Sequence, residues 1–124
     1  MKAGKAVALA AALAIFSAGS ALAENWLHVG YDGSDAIYYD ADSVNRQGSL
    51  ISVIGREVEK DGEKEDRYLL FQTDKGMYTE GKVIEYDHQG QVKGIKDRRH
   101  HEKRWRNVKP DSEEELILQA IKSL

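Results

Sequence analysis

From Trp26 to Lys96 the chain is interrupted every 10–15 residues by a short glycine-bearing turn, and the segments between the turns show no helical periodicity. Glycine accepts the positive φ that a tight turn demands, and Asp bonds nearby backbone amides, so each such cluster reverses the chain. Short segments joined in this way lie antiparallel to one another. Trp26–Tyr31 alternates and predicts a first strand, with Trp26 and His28 on one face and Leu27, Val29 and Tyr31 on the other. Asp32-Gly33-Ser34-Asp35 turns the chain into a second strand at Ala36–Asp40. Asp42-Ser43 caps a short turn around Val44, and Gln47-Gly48 brings the chain back. Ser49–Glu59 carries Leu50, Ile51, Val53, Ile54 and Val58 on both of its faces, which predicts a central strand. Beyond the tip at Lys60-Asp61-Gly62-Glu63, Asp66–Thr73 pairs back as the fourth strand. Asp74-Lys75-Gly76 leads to a fifth strand at Met77–Asp87, and His88-Gln89-Gly90 to a sixth, Gln91–Lys96.

One helix is expected at the end. Ser112-Glu113-Glu114-Glu115 reads as a capping box, with Ser112 accepting from the amide of Glu115 and Glu115 answering to the amide of Ser112. Pro110 stiffens the entry, and the acidic first turn suits the positive end of the helix dipole. Leu116, Ile117, Ala120, Ile121 and Leu124 form one apolar stripe for packing on the sheet. The fold class is therefore α+β, an antiparallel meander of about six strands with one C-terminal helix packed on it.

Residues 1–23 read as a secretory signal peptide and not as part of that fold. Lys2 and Lys5 form a positive start, Ala6–Ala18 is apolar, and Ala21-Leu22-Ala23 is a small-x-small cleavage site. Removal leaves residues 24–124 as a single domain with no further apolar segment of spanning length. The expected destination is the periplasm or cell surface of a Gram-negative-type bacterium. Without Lys2 and Lys5, 16 basic residues face 21 acidic ones. That balance argues against a protein that coats nucleic acid. The chain has no cysteine, so it forms no disulfide, and its stability rests on packing and backbone hydrogen bonds.

The strongest local feature is the basic segment Arg98-Arg99-His100-His101-Glu102-Lys103-Arg104-Trp105-Arg106, continued by Lys109. Arg98, Arg99, Lys103, Arg104 and Arg106 offer forks for phosphate, sulfate or carboxylate. Trp105 is either a stacking surface or, the stronger reading, a core anchor. The opposite charge lies at Glu57–Asp66, with six acids and two lysines, and reads as a device that keeps a hairpin edge soluble. The four histidines, His28, His88, His100 and His101, lack metal-ligand spacing. Asp32, Asp35, Asp40 and Asp42 lack the spacing of a calcium loop and suit turns and caps. No nucleophile motif or phosphate-cradling glycine loop is present, so no enzyme, cofactor or metal is expected.

Four elements together resemble the surface-adhesin protein E family of exported bacterial proteins. They are Trp26, Tyr38-Tyr39-Asp40-x-Asp42-Ser43, Tyr86-Asp87-x-x-Gly90-x-Val92, and Trp105-x-x-Val108-x-Pro110-x-Ser112-x-x-Glu115. The resemblance spans most of residues 24–124. It implies a small antiparallel sheet packed by a C-terminal helix, and a non-enzymatic protein. The best-known member is an outer-membrane lipoprotein that binds host matrix and plasma proteins such as vitronectin and laminin. Two departures stand out. Glu24 follows the cleavage site where lipid-anchored members have cysteine, and the disulfide that ties sheet to helix in many members has no counterpart. The expected function is thus an adhesin-like module contacting host extracellular-matrix proteins or acidic glycans through Arg98–Lys109. The alternative is a periplasmic, envelope-associated structural domain without a host ligand.

Overall fold

The computed structural model describes residues 24–97 and 104–124. Among the described residues, eight strands form one sheet: β1 (Trp26–Asp32), β2 (Asp35–Asp40), β3 (Asn45–Gln47), β4 (Leu50–Val58), β5 (Lys64–Gln72), β6 (Met77–Tyr86), β7 (Val92–Asp97) and β8 (Arg106–Asn107). The helix α1 (Glu113–Ile121) follows. The order across the sheet is β1-β2-β4-β5-β6-β7, and every pairing is antiparallel. The meander with one C-terminal helix is therefore the fold, and β4 is central as its two apolar faces imply.

Two short strands fall outside the expected six. β3 pairs with Leu50–Ser52 at the start of β4, while β2 pairs with Gly55–Val58 further along the same strand. A single 3-10 turn at Ala41–Ser43 makes that switch possible. Asp40 caps it by accepting from the amide of Asp42 at 3.0 Å. Ser43 is buried and bridges the neighbouring strand, donating to the carbonyl of Asp40 and accepting from the amide of Ile54. β8 extends the other side of the sheet, opposite Met77 and Tyr78 of β6.

Strict alternation fails where pairings slip, between β1 and β2, between β5 and β6 and between β6 and β7. The pairing of β1 with β2 slips between His28 and Gly30, so Tyr31 joins His28 on one face instead of Val29. The rings of His28 and Tyr31 meet edge to face at 4.9 Å, and Val29 turns toward the core. Gly30 permits the slip because its φ is +149°, and a Cβ there would stand 3.1 Å from Leu116 of α1.

The core lies between the sheet and α1. Ile37, Tyr39, Ile51, Val53, Leu69, Phe71 and Tyr78 supply the sheet side, and Ile117 and Ile121 the helix side. Gly55 makes the close approach possible, since a Cβ there would stand 2.6 Å from Cδ1 of Ile117. Leu124 is not on the packed stripe. The helix ends at Ile121, and Leu124 is 68% exposed. Trp105 is half-buried and outside the core, where Val108 packs instead.

Candidate functional site

Charge is segregated along the strands. Ile51, Phe71 and Tyr78 form one cross-strand row, and β8 begins beside it with Arg106 opposite Tyr78. Glu57, Glu65 and Glu85 form a parallel row six residues further along β4, about 20 Å away at the rise of an extended strand. Like charges facing each other across strands repel, so the second row needs compensation. Lys96 reaches Glu85 at 3.4 Å.

Of the predicted binding residues, Arg104 and Arg106 are exposed beside that first row. Arg106 hydrogen-bonds to Tyr78. Among the described residues, neither arginine forms an ion pair with a carboxylate. Arg98, Arg99 and Lys103 lie outside the described residues, as do His100, His101 and the segment 1–23. The basic and acidic segments, so far as they are described, stand at opposite ends of the strands.

The acidic hairpin is not simply a solvated edge. Asp66 is buried on the sheet face away from α1, where Arg56 grips it with two bonds of 2.6 and 2.9 Å. The same guanidinium lies 3.9 Å from the ring centre of Trp26, whose indole donates to Glu24. The ring centre of Tyr86 lies 5.8 Å from the same guanidinium. Burial pushes the Asp66 carboxyl up, while Arg56 opposes the shift. His28 packs on Tyr38 as well as Tyr31, so one end of this open face is aromatic. Val92 and Ile95 at its other edge are more than half exposed. Nothing in the local spelling marks Arg56 and Asp66 as partners. The signal is their position, ten residues apart and facing each other across the hairpin.

On the helix side, Arg67 is the hub. It is buried, and its guanidinium meets Glu80 at 2.6 Å, Glu113 at 3.0 Å and Glu114 at 3.3 Å. Burial works against its charge, yet Glu113, Glu80 and Glu114 together hold it more firmly protonated than a free arginine. Glu114 is held below the ordinary carboxylate range. Burial opposes that, but the Tyr78 hydroxyl and Arg67 outweigh it. Glu113 keeps only one oxygen on Arg67. Its Oε1 is buried with no hydrogen-bond partner, and burial pushes its carboxyl up.

Glu57 is the neighbour that Glu113 meets. Burial, followed by the carboxylates of Glu113 and Asp35, pushes Glu57 up to about 8. Asp35 and Glu59 complete the group, and one carboxylate oxygen from each of Asp35, Glu57 and Glu59 lies within 4.8 Å of the others. Glu59 is exposed and opens the group to solvent. Asp35, read from the sequence as a turn residue, also stands beside Glu57, and Glu57 is half-buried where the sequence predicts an exposed charge.

Neither a protein-family model, nor a curated protein, nor a solved structure matches this chain.

Proposed function

We propose that the protein is an exported, non-enzymatic binding module of the surface-adhesin E type, released from residues 1–23 and acting at the bacterial cell surface. Its ligands are host matrix proteins or acidic glycans, met by the basic segment Arg98–Lys109. The observation that supports this reading is the position of Arg104 and Arg106. They are exposed at the end of the strands remote from the acidic hairpin and, among the described residues, form no ion pair, so their charge is left for an acidic group outside the molecule. The spelling from Trp105 to Glu115 supports it further, through its likeness to the adhesin family.

Two measurements test it together. Protease shaving of intact cells is expected to cut the chain while a periplasmic control survives. Binding to immobilised laminin, vitronectin or heparin is expected to weaken roughly tenfold in the double variant Arg104→Ala/Arg106→Ala, as befits loss of two charge-assisted contacts. It is also expected to fade in molar salt, where screening acts within about 3 Å. Protection in intact cells, with cleavage only after the outer membrane is opened, would favour a periplasmic structural domain. Binding that ignores both the double variant and salt would remove the basic segment from the mechanism.

A further inference from the structure

Helix α1 packs on one face of the sheet, whereas the apolar cluster on the other, Trp26, Ile54, Tyr68 and Ile84, is made by the strands alone. Two unbroken cross-strand rows cross that open face from β1 to β7. One is His28, Tyr38, Arg56, Asp66, Ile84 and Ile95. Beside it run Tyr31, Ala36, Val58, Lys64, Tyr86 and Val92. The apolar side chains at the two lateral edges are the least covered, with Tyr31 64%, Ile95 59% and Val92 54% exposed. An apolar surface of this extent, whose central charges satisfy each other, marks an interaction face.

The first row is its own complement. From β1 it reads aromatic, aromatic, positive, negative, aliphatic, aliphatic. Turned about a two-fold axis parallel to the strands, it meets itself in reverse. His28 and Tyr38 then lie over the second copy's Ile95 and Ile84, and Arg56 lies over its Asp66. In the other row Tyr31 covers Val92, and the ring of Tyr86 covers the small Ala36. Each Arg56–Asp66 pair is closed at 2.6 Å, so the two ion pairs stack with opposed dipoles and attract. A two-fold perpendicular to the strands would instead set Arg56 on Arg56 and Asp66 on Asp66. We propose that the open face binds a second copy of this chain, in a two-fold dimer that places β1 of each copy over β7 of the other.

The available area fits a weak dimer. Six strands about 4.8 Å apart and three rows about 7 Å apart, the third being that of Trp26, Ile54 and Tyr68, give roughly 600 Å² per copy. The total of about 1,200 Å² is at the low end for a specific interface, which corresponds to a Kd of about 10–100 μM. Because the axis runs along the strands, both copies carry Arg104 and Arg106 at the same end and their acidic hairpins at the other. The dimer does not depend on what those arginines bind. Its paired acidic ends repel, so added salt strengthens it.

The test is sedimentation equilibrium of the purified protein up to about 500 μM, a range that brackets the expected Kd. Monomer is expected to pass to dimer and to nothing larger, more tightly in high salt than in low. Tyr31→Lys and Ile95→Lys, both at exposed positions, are each expected to raise Kd at least about tenfold by placing a charge against an apolar surface. Leu124→Lys, equally exposed but beyond the end of α1, and the double variant Arg104→Ala/Arg106→Ala leave Kd within about twofold. The register is read by cross-linking, since the chain has no cysteine of its own. Sheets packed face to face lie about 10 Å apart, so a bis-maleimide of that span joins Tyr31→Cys chains to Val92→Cys chains in a mixture. It joins neither variant to itself. The proposal is overturned by a monomer throughout, by species growing beyond two copies, or by association that fades in salt. It is equally overturned if association survives both lysine variants, is lost in Leu124→Lys or in the double arginine variant, or lets Tyr31→Cys chains cross-link to one another, as pairing of two β1 edges would.

Discussion

Replacing Glu57 with Gln is expected to stabilise this protein, and increasingly so as pH rises. In the unfolded chain Glu57 ionises near 4.5, whereas in the fold burial and the acids of Glu113 and Asp35 delay it to about 8. Between those values the folded state holds the extra proton, so stability falls as pH climbs from below 4.5 through 8. Unscreened, the shift corresponds to about 5 kcal/mol. Glu57 is only half-buried, and solvent screening brings the realistic cost of ionising it to about 2 kcal/mol. Gln keeps the shape of the neutral acid and offers an N–H to the Glu113 carboxylate where the neutral acid offers its O–H. Urea denaturation at pH 5, 7 and 9 measures both chains on one scale. The two are expected to coincide within about 0.5 kcal/mol at pH 5. At pH 9 the variant should lead by about 2 kcal/mol, roughly 10 °C in Tm for a domain of this size. Wild-type stability that stays flat from pH 5 to 9, or a variant that retains the wild-type slope, would refute the argument.

Two further outcomes follow from the same region. Arg67→Met leaves Glu80, Glu113 and Glu114 without their shared cation, and is expected to cost about 3–5 kcal/mol at pH 8; in pH-dependent denaturation the loss shrinks toward pH 5, as the uncompensated carboxyls take up protons. Gly55→Ala drives a methyl to 2.6 Å from Cδ1 of the fully buried Ile117 and is expected to cost about 1–3 kcal/mol. Ile117→Val removes that Cδ1, so the double variant should recover at least about 1 kcal/mol relative to the sum of the single changes in a thermal double-mutant cycle.

The strands were legible because their signals are local. Turn glycines at 33, 48, 62, 76 and 90 do adopt positive φ, and the alternation between them places the core residues on one face. What escaped has non-local causes. β3 and β8 are three and two residues long, too short for any period, and exist only because longer strands offer them an edge. The slip at Val29 depends on the approach of Leu116, 87 residues later. The capping box was read correctly in one half. Ser112 accepts from the amide of Glu115 at 3.2 Å, but Glu115 answers to the amide of Asp111, because Asp111 takes a left-handed φ of 62° and presents its own N–H there. Of the candidate sites, the basic segment is visible in any charge count. The Arg67 hub is not, since its acids arrive from positions 80, 113 and 114.

The three glutamates that open α1 show how one acidic run divides its work. The helix dipole explains why acids are favourable there but not why there are three. Glu115 closes the cap, Glu114 joins the Tyr78 hydroxyl to Arg67, and Glu113 carries the chain's negative charge into the buried seam beside Glu57. At the other end, Arg46 of β3 donates to the carbonyls of Lys122 at 2.7 Å and Ile121 at 3.4 Å, matching a cation to the negative end of the dipole. The helix is thus held at both ends by arginines of the sheet, with the apolar contacts of Ile117 and Ile121 between them. In a chain without cysteine, this two-point attachment does what a disulfide between sheet and helix does elsewhere, fixing the helix in register. It differs in one respect: the N-terminal tie passes through carboxylates that respond to protons, so the seam on which the sheet and helix meet is sensitive to pH.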